Sequence, residues 1–175
     1  MHGYQQADPL ATASLIGAVT PLLYRYFCYR PCSRSHAADL VQEAWLRIHK
    51  SRHTFRPGEP VLPWMYAIAR HAEVDGFRKR RRIEMVEYQM DTLPEVAAAD
   101  PGQRGIPTFE ALMAELPESQ REVVTMLKVT GMSIEEVARA TANTVGSVKQ
   151  KAHRAYEKLR RLLETQSGAG EGQSR

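Results

Sequence analysis

Between Glu84 and Glu110 the chain carries six acidic residues against one basic residue, Arg104. Pro94, Pro101, Gly102, Gly105 and Pro107 break any long element there. Such a stretch reads as a solvated tether with room for one short helical piece, and it divides the 175 residues into two small halves. Before it, apolar residues recur at helical spacing from Pro9 to about Tyr29 (Leu15, Val19, Leu22, Leu23, Tyr26), and Pro31 closes the run. Ser33 or Ser35 can cap a second helix to about Lys50, with Leu40, Val41, Ala44 and Ile48 inward. Arg56 to Pro60 is a loop. Pro63 suits the first turn of a third helix that buries Met65, Ile68, Ala69 and Ala72.

Beyond the tether, Pro117 starts a helix with Val123, Val124 and Leu127 on one side, and Gly131 ends it. Ser133 followed by Glu136 is a capping box, opening a short helix with Ile134, Val137 and Ala138 inward. Thr144 or Asn143 caps a last helix to about Glu164. No strand-like alternation and no internal repeat is present. The expectation is an all-α chain of two small helical domains. A three- to four-helix bundle spans 9–83, a flexible acidic linker 84–108, a helix-turn-helix domain 109–165 and a disordered tail 166–175.

The net charge of +4 permits polyanionic partners without demanding one. No apolar run approaches the roughly 20 residues of a membrane span. The first residues, MHGYQQADPLATAS, lack a basic start followed by an apolar core, so no signal peptide is expected and the chain reads as cytoplasmic. Cys28, Cys32 and His36 form C-x3-C-x3-H but lack a fourth zinc ligand. They read as reduced thiols beside an ordinary histidine, and His49 and His53 as ordinary polar residues at a helix end. Neither metal nor cofactor is expected.

A helix-turn-helix needs a small residue in its first helix, a tight turn and an apolar anchor in its second. Ala138, Ala142 and Val148 have those spacings. The core side of the last helix is Val148, Ala152, Ala155, Leu159 and Leu162. The opposite face is centred on Gln150 and His153, flanked by Lys149 and Arg154, with Ser147 and Lys151 on one rim. These side chains have the reach and hydrogen-bonding groups to read base edges and hold phosphates. Gly146 near the helix start leaves room for a phosphate backbone. Between Val145 and Leu163 six basic residues face one acid, which favours DNA over a plain solvated helix.

The first half carries a second nucleic-acid signal. Arg78 to Arg82 reads RKRRR, either a solvated helix end or a phosphate clamp. On the helix before it, Tyr66, Arg70 and Phe77 share a face away from the core, suited to stacking on unpaired bases or to packing on a neighbouring helix. Asp75 reads as a structural acid on the core side, paired with a nearby arginine or a helix end. On the second helix Asp39, Gln42, Glu43, Leu46 and Lys50 fall together opposite the core stripe. An exposed leucine ringed by polar groups is the pattern of a binding hot spot.

Taken together, DLVQEAWLRIHK followed by WMYAIARHAEVDGFRKRRR resembles region 2 of bacterial sigma factors. LPESQREVVTMLKVTGMSIEEVARATANTVGSVKQKAHRAYEKLRRLL resembles region 4. Nothing resembles the intervening region 3, so the chain is similar to the extracytoplasmic-function (group IV) class of the sigma-70 family over roughly residues 9–165. The resemblance implies docking of Asp39, Gln42, Glu43, Leu46 and Lys50 on the largest subunit of core RNA polymerase. It implies −10 capture and melting by the loop from Ser51 to Pro63 and the helix from Trp64 to Lys79, with Trp64, Tyr66, Arg70, His71, Arg78 and Lys79 as the candidate contacts. It implies −35 reading by Ser147, Lys149, Gln150, Lys151, His153 and Arg154. Its further implications are stress-responsive control by an anti-sigma factor, membrane-bound in the subgroup that IHKSRHTF and WMYAIAR resemble, and a linker threading near the polymerase active site.

The chain departs from the family pattern at three places. His71 replaces the usual Asn, Gln150-Lys151 replaces the usual Ser-Arg, and Ala142 replaces the usual turn Gly, leaving Asn143 to take any left-handed conformation. The competing reading is a stand-alone helix-turn-helix regulator, which would need a dimerising or ligand-sensing domain that is not evident. An enzyme acting on nucleic acid is disfavoured, because the chain shows no carboxylate cluster, no Cys/His ligand set and no Gly-rich phosphate loop.

Overall fold

The computed structural model describes residues 1–30, 34–87 and 108–168, with the backbone alone at 34–35, 77–87 and 166–168. Every regular element among the described residues is helical. The sequence of elements begins with α1 (His2–Gln5), α2 (Pro9–Cys28), α3 (Arg34–Ser51), a 3-10 turn (Arg52–Thr54) and α4 (Val61–Glu87). It continues with α5 (Phe109–Ala114), α6 (Glu118–Val124), a π turn (Thr125–Val129), α7 (Ile134–Thr141) and α8 (Val145–Gly168). No helix among the described residues is long and apolar enough to cross a membrane.

Local chemistry sets most of the helix starts. Asp8 Oδ1 accepts from the backbone N–H groups of Leu10 and Ala11 at 2.8 and 3.1 Å, and Pro9 occupies the first position of α2. Thr108 caps α5 in the same way through Ala111 N at 3.2 Å. Gly131, at φ 72°, turns the chain from the π turn towards α7, a conformation that a side chain would strain. The stripes expected on α2, α3 and α4 pack together. Val19, Leu23, Tyr26, Leu40, Val41, Ala44, Ile48, Met65, Ala69 and Ala72 are buried. Trp45 is tied to α2 by its indole N–H, which donates to Thr20 Oγ1 at 3.0 Å.

Several expectations are corrected. The third helix does not stop near residue 83 but continues to Glu87, so 84–87 are helical and not linker. The remaining linker, 88–107, and the tail from 169 lie outside the described residues, as do Pro31, Cys32 and Ser33. Ser35 lies inside α3, not at its cap. The last helix runs past Glu164 to Gly168. Periodicity does not reveal the short helix α1, nor the docking of the two halves. Val123, Met126, Met132, Val137, Ala138 and Ala140 of the second half join Tyr26, Met65 and Tyr66 of the first in one continuous core. Helix α4 is central, packing on α3 on one side and α7 on another.

Candidate nucleic-acid and polymerase interfaces

The helix-turn-helix is assembled by its caps. Ser133 Oγ accepts from Glu136 N at 3.2 Å, and Glu136 Oε2 accepts from Ser133 N at 2.8 Å, the reciprocal pair expected. Helix α7 ends with Ala142 in the left-handed region at φ 52°. The N–H of Asn143 reaches the Ala138 carbonyl at 2.9 Å, and that of Ala142 reaches Arg139 at 3.3 Å. This is the two-bond C-terminal closure that normally recruits glycine. Ala142 itself, and not Asn143, takes the left-handed conformation. Asn143 is engaged through its side chain, donating to Thr141 O at 3.0 Å and accepting from Lys151 Nζ at 3.0 Å. Thr144 Oγ1 caps α8 by accepting from Ser147 N at 3.2 Å.

On α8, Val148, Ala152 and Ala155 are buried. Lys149, Gln150, His153 and Arg154 are exposed on the opposite side, with Gly146 open to solvent near the helix start. Ser147 and Lys151 are both half-buried at the rim beside them, and the Lys151 ammonium is held by the turn. On α3, Asp39, Gln42 and Lys50 are exposed and Leu46 shows 57% of its surface, as the helical spacing predicts. Glu43 is half-buried and accepts from Arg47 Nε at 2.6 Å, while Arg47 Nη1 donates to Asp75 Oδ2 at 2.7 Å. Hydrogen bonds to Asp75 and Glu43 raise the Arg47 guanidinium above its ordinary value. Asp75 is therefore paired with an arginine as expected, but it is exposed and not on the core side.

The face of α4 differs most from expectation. Trp64 is half-buried, its ring 5.5 Å from that of Phe55 at 72°. His71 is exposed, its Nδ1 2.8 Å from the Ala67 carbonyl. Arg78 and Lys79 continue the helix, with side chains outside the described residues, as is that of Phe77. Tyr66 is not exposed. It is fully buried, edge-on to Tyr26 at 5.1 Å, and burial raises its phenol against the opposing influence of Thr130 and Arg25. Arg70 is half-buried and donates to Glu122 Oε1 of α6 at 3.0 Å. Tyr66 thus packs on Tyr26 of α2 within the core and not away from it, whereas Arg70 turns towards α6 of the second half. The second half covers the face they occupy.

Around Arg70 lies a buried charge cluster with no local signature in the sequence. The Nε of Arg30, just past the end of α2, donates to both Glu73 carboxylate oxygens at 2.7 and 2.8 Å. Its Nη2 reaches Glu118 at 3.0 Å, and its Nη1 lies 3.7 Å from Glu122. Tyr26 donates its hydroxyl to Glu122 at 3.2 Å. Burial would lower the Arg30 guanidinium, but Tyr26, Glu73 and Glu122 together carry it above its ordinary value. Burial raises the Glu73 carboxyl further than Arg30 pulls it down.

A polar helix face centred on one exposed leucine and a basic helix-turn-helix face thus stand on separate halves of the chain. Residues 15–83 match the family model for Sigma-70 region 2, and residues 108–159 that for Sigma-70 region 4. The chain is 36% identical over 131 residues to RNA polymerase sigma factor CarQ of Myxococcus xanthus, covering 73% of this chain and 74% of that one. It is 32% identical over 149 residues to ECF RNA polymerase sigma factor EcfG of Rhodopseudomonas palustris, with coverages of 83% and 81%. Its fold is similar to that of sigma factor RpoE of Bartonella quintana, solved with the anti-sigma factor NepR. There the TM-score is 0.72 at 24% identity, over 88% of this chain and 97% of that one. The chain belongs to the extracytoplasmic-function class of the sigma-70 family. It is an RNA polymerase sigma factor, acting with core polymerase and promoter DNA in transcription initiation, and the stand-alone regulator reading is set aside.

Proposed function

We propose that the residue roles divide by domain. Helix α3 docks on core polymerase through Asp39, Gln42, Glu43, Leu46 and Lys50. The segment from Ser51 through α4, including Trp64, His71, Arg78 and Lys79, engages the −10 element. Helix α8 reads the −35 element through Lys149, Gln150, His153 and Arg154, with Ser147 and Lys151 at its rim. The chain works in the cytoplasm, where its polymerase is, under stress-responsive control by an anti-sigma factor. The observation that carries this reading is the α8 face. Four exposed polar side chains stand there, and among the described residues no hydrogen bond or ion pair occupies them.

Tyr66 and Arg70 keep a place in this reading only after the halves separate. As folded here they are held by α2 and α6. Arg70 is freed once α6 moves off α4, and a base can reach Tyr66 only when its packing on Tyr26 is released as well.

Run-off transcription with purified core enzyme over a promoter library tests the reading. Transcripts should initiate only when core enzyme and this chain are both present. Leu46→Asp should abolish capture by core enzyme while leaving the helical melt unchanged, because a hot-spot side chain contributes about 2 kcal/mol or more. Unchanged core affinity would remove the α3 face from the interface.

A further inference from the structure

The first seven residues precede the stretch matched to region 2 and form a built feature. Helix α1 folds back on α2 through a tight turn. Ala7 is left-handed at φ 58°, and Asp8 N donates to Gly3 O at 2.9 Å. Gly3 lies against α2 so closely that a Cβ there would sit 2.6 Å from that of Ala11. This fold-back buries Tyr4, whose hydroxyl lies 3.1 Å from His49 Nδ1 and whose ring meets the His49 ring edge-on at 5.9 Å.

The next residue reaches further. Gln5 Nε2 donates to the carbonyl of Arg52 at 2.7 Å and to that of Phe55 at 3.0 Å. These carbonyls lie at the two ends of the 3-10 turn that leaves α3, which is otherwise closed by Phe55 N to Arg52 O at 3.3 Å. Phe55 is buried, and its ring packs on Trp64 in the first turn of α4. One amide therefore fixes the start of the loop at both ends of its turn, and the turn in turn places Trp64. On the outer side, His2, Gln5 and Gln6 face Arg52, His53 and Phe55 across an open cleft of about 490 Å³.

We propose that α1 is a positioning element for the promoter-reading loop, with Gln5 and Tyr4 as its positioning residues. Gln5 sets the conformation of residues 52–55, and Tyr4 anchors α1 to the end of α3. A short loop rich in Pro and Gly has many accessible shapes, and reading a base requires one of them. The two amide donations from Gln5 select that shape before DNA arrives. Nothing else among the described hydrogen bonds crosses from outside the loop to both of these carbonyls.

This inference rests on the reading of the Ser51–Pro63 loop as the −10 segment, and the test separates the two. Full-length wild type, Gln5→Ala, Gln5→Glu and Tyr4→Phe are each combined with core enzyme. Selection from promoters randomised at −10, permanganate reactivity of the melted thymines and core affinity are then measured. Glutamate has the shape of glutamine but cannot donate, and it would set a carboxylate against two carbonyls. Gln5→Glu should therefore lose open-complex formation at least as severely as Gln5→Ala, by about five- to tenfold. Both should broaden −10 preference, and both should keep core affinity and −35 preference. Tyr4→Phe, which keeps the ring and loses the hydroxyl, should show a smaller loss of the same kind. If Gln5→Glu matches wild type in −10 preference and melting, α1 does not position the loop. A fall in thermal stability with unchanged −10 preference overturns the proposal as well. Should wild type itself show no −10 dependence, the loop assignment fails instead.

Discussion

Arg70 Nε of α4 donates to Glu122 Oε1 of α6 at 3.0 Å, joining a helix expected to meet the −10 element to the domain expected to meet the −35 element. The same carboxylate oxygen accepts from the Tyr26 hydroxyl at 3.2 Å and lies 3.7 Å from Arg30 Nη1. Glu122 is 6% exposed, so three partners from the first half converge on one desolvated group of the second. Removing one member of such a cluster leaves uncompensated charge in the seam, and this costs more than the pair contributed.

Glu122→Ala should therefore part the halves without melting either one. Arg30 keeps Glu73 and Glu118, and Arg70 is partly exposed, so the change costs the docked state about 1–3 kcal/mol. Small-angle scattering should show an increased radius of gyration, with helical circular dichroism retained near 25 °C. An unchanged radius would mean that apolar packing of α4 on α7 holds the halves by itself.

The Glu73 carboxyl gives this seam a pH dependence of defined sign. Burial raises it above its ordinary value, so between those two values the folded protein binds more protons than the unfolded chain. Stability contributed at this site is therefore greatest at the acid end of that window and falls as pH rises through it. Other carboxylates titrate nearby, so the comparison is with Glu73→Gln, which cannot titrate. At the acid end Glu73 is uncharged like the glutamine, so the two proteins should be closest in stability there. The stability of wild type relative to the variant should then fall as pH rises from the ordinary carboxylate range through the raised one. Chemical denaturation at a series of pH values measures it, and a relative stability that rises with pH would show the shift to have the opposite sign.

How much of this is legible in the sequence depends on the range of each interaction. The capping box from Ser133 to Glu136 is four residues long, and its pattern alone locates the start of α7. The exposure of Leu46 follows from the wheel of one helix. Tyr66 departs from expectation for a reason the wheel cannot see. Periodicity gives the faces of α4 but not that α7 will pack against it, nor that Tyr26 of α2 will meet Tyr66. The Arg30, Glu73 and Glu122 cluster is hidden because Arg30 lies 43 positions from Glu73 and further still from Glu122, and each alone resembles a surface charge. Ala142 escapes the sequence reading because left-handed propensity favours Asn143, whereas the closure on Ala138 and Arg139 fixes which position must take that conformation.

That closure makes a local prediction. A non-glycine residue in the left-handed region costs roughly 1–2 kcal/mol, and Ala142 sits at φ 52°. Glycine there removes the penalty but adds freedom to the unfolded chain. Ala142→Gly should therefore stabilise the protein by a net of about 0.5–1 kcal/mol. Asn143→Gly should destabilise it, because the Asn143 side chain bonds Thr141 O and Lys151 Nζ. Thermal melts of the two variants should move in opposite directions. If both melt lower, the left-handed strain at Ala142 is not what limits the turn.

The α8 face supplies the last prediction, because its side chains differ in what they can recognise. Arg154 is exposed one turn beyond Gln150, where a guanidinium reaches phosphate. Arg154→Ala should weaken binding to many −35 sequences alike and reduce the dependence of affinity on salt by about one phosphate contact. Gln150 presents a donor and an acceptor from the centre of the face, a pair that can read a base edge. Gln150→Ala should leave the salt slope intact and relax preference at one −35 position by about 1–3 kcal/mol. Neither change should alter the fold, since both side chains are exposed and Val148, Ala152 and Ala155 hold the opposite side of the helix. Selection from randomised −35 sequences, using the complex with core enzyme at two salt concentrations, separates the two effects. If Gln150→Ala returns the wild-type motif, a different face of α8 meets the DNA. If Arg154→Ala changes the motif and not the salt slope, the two side chains have exchanged roles.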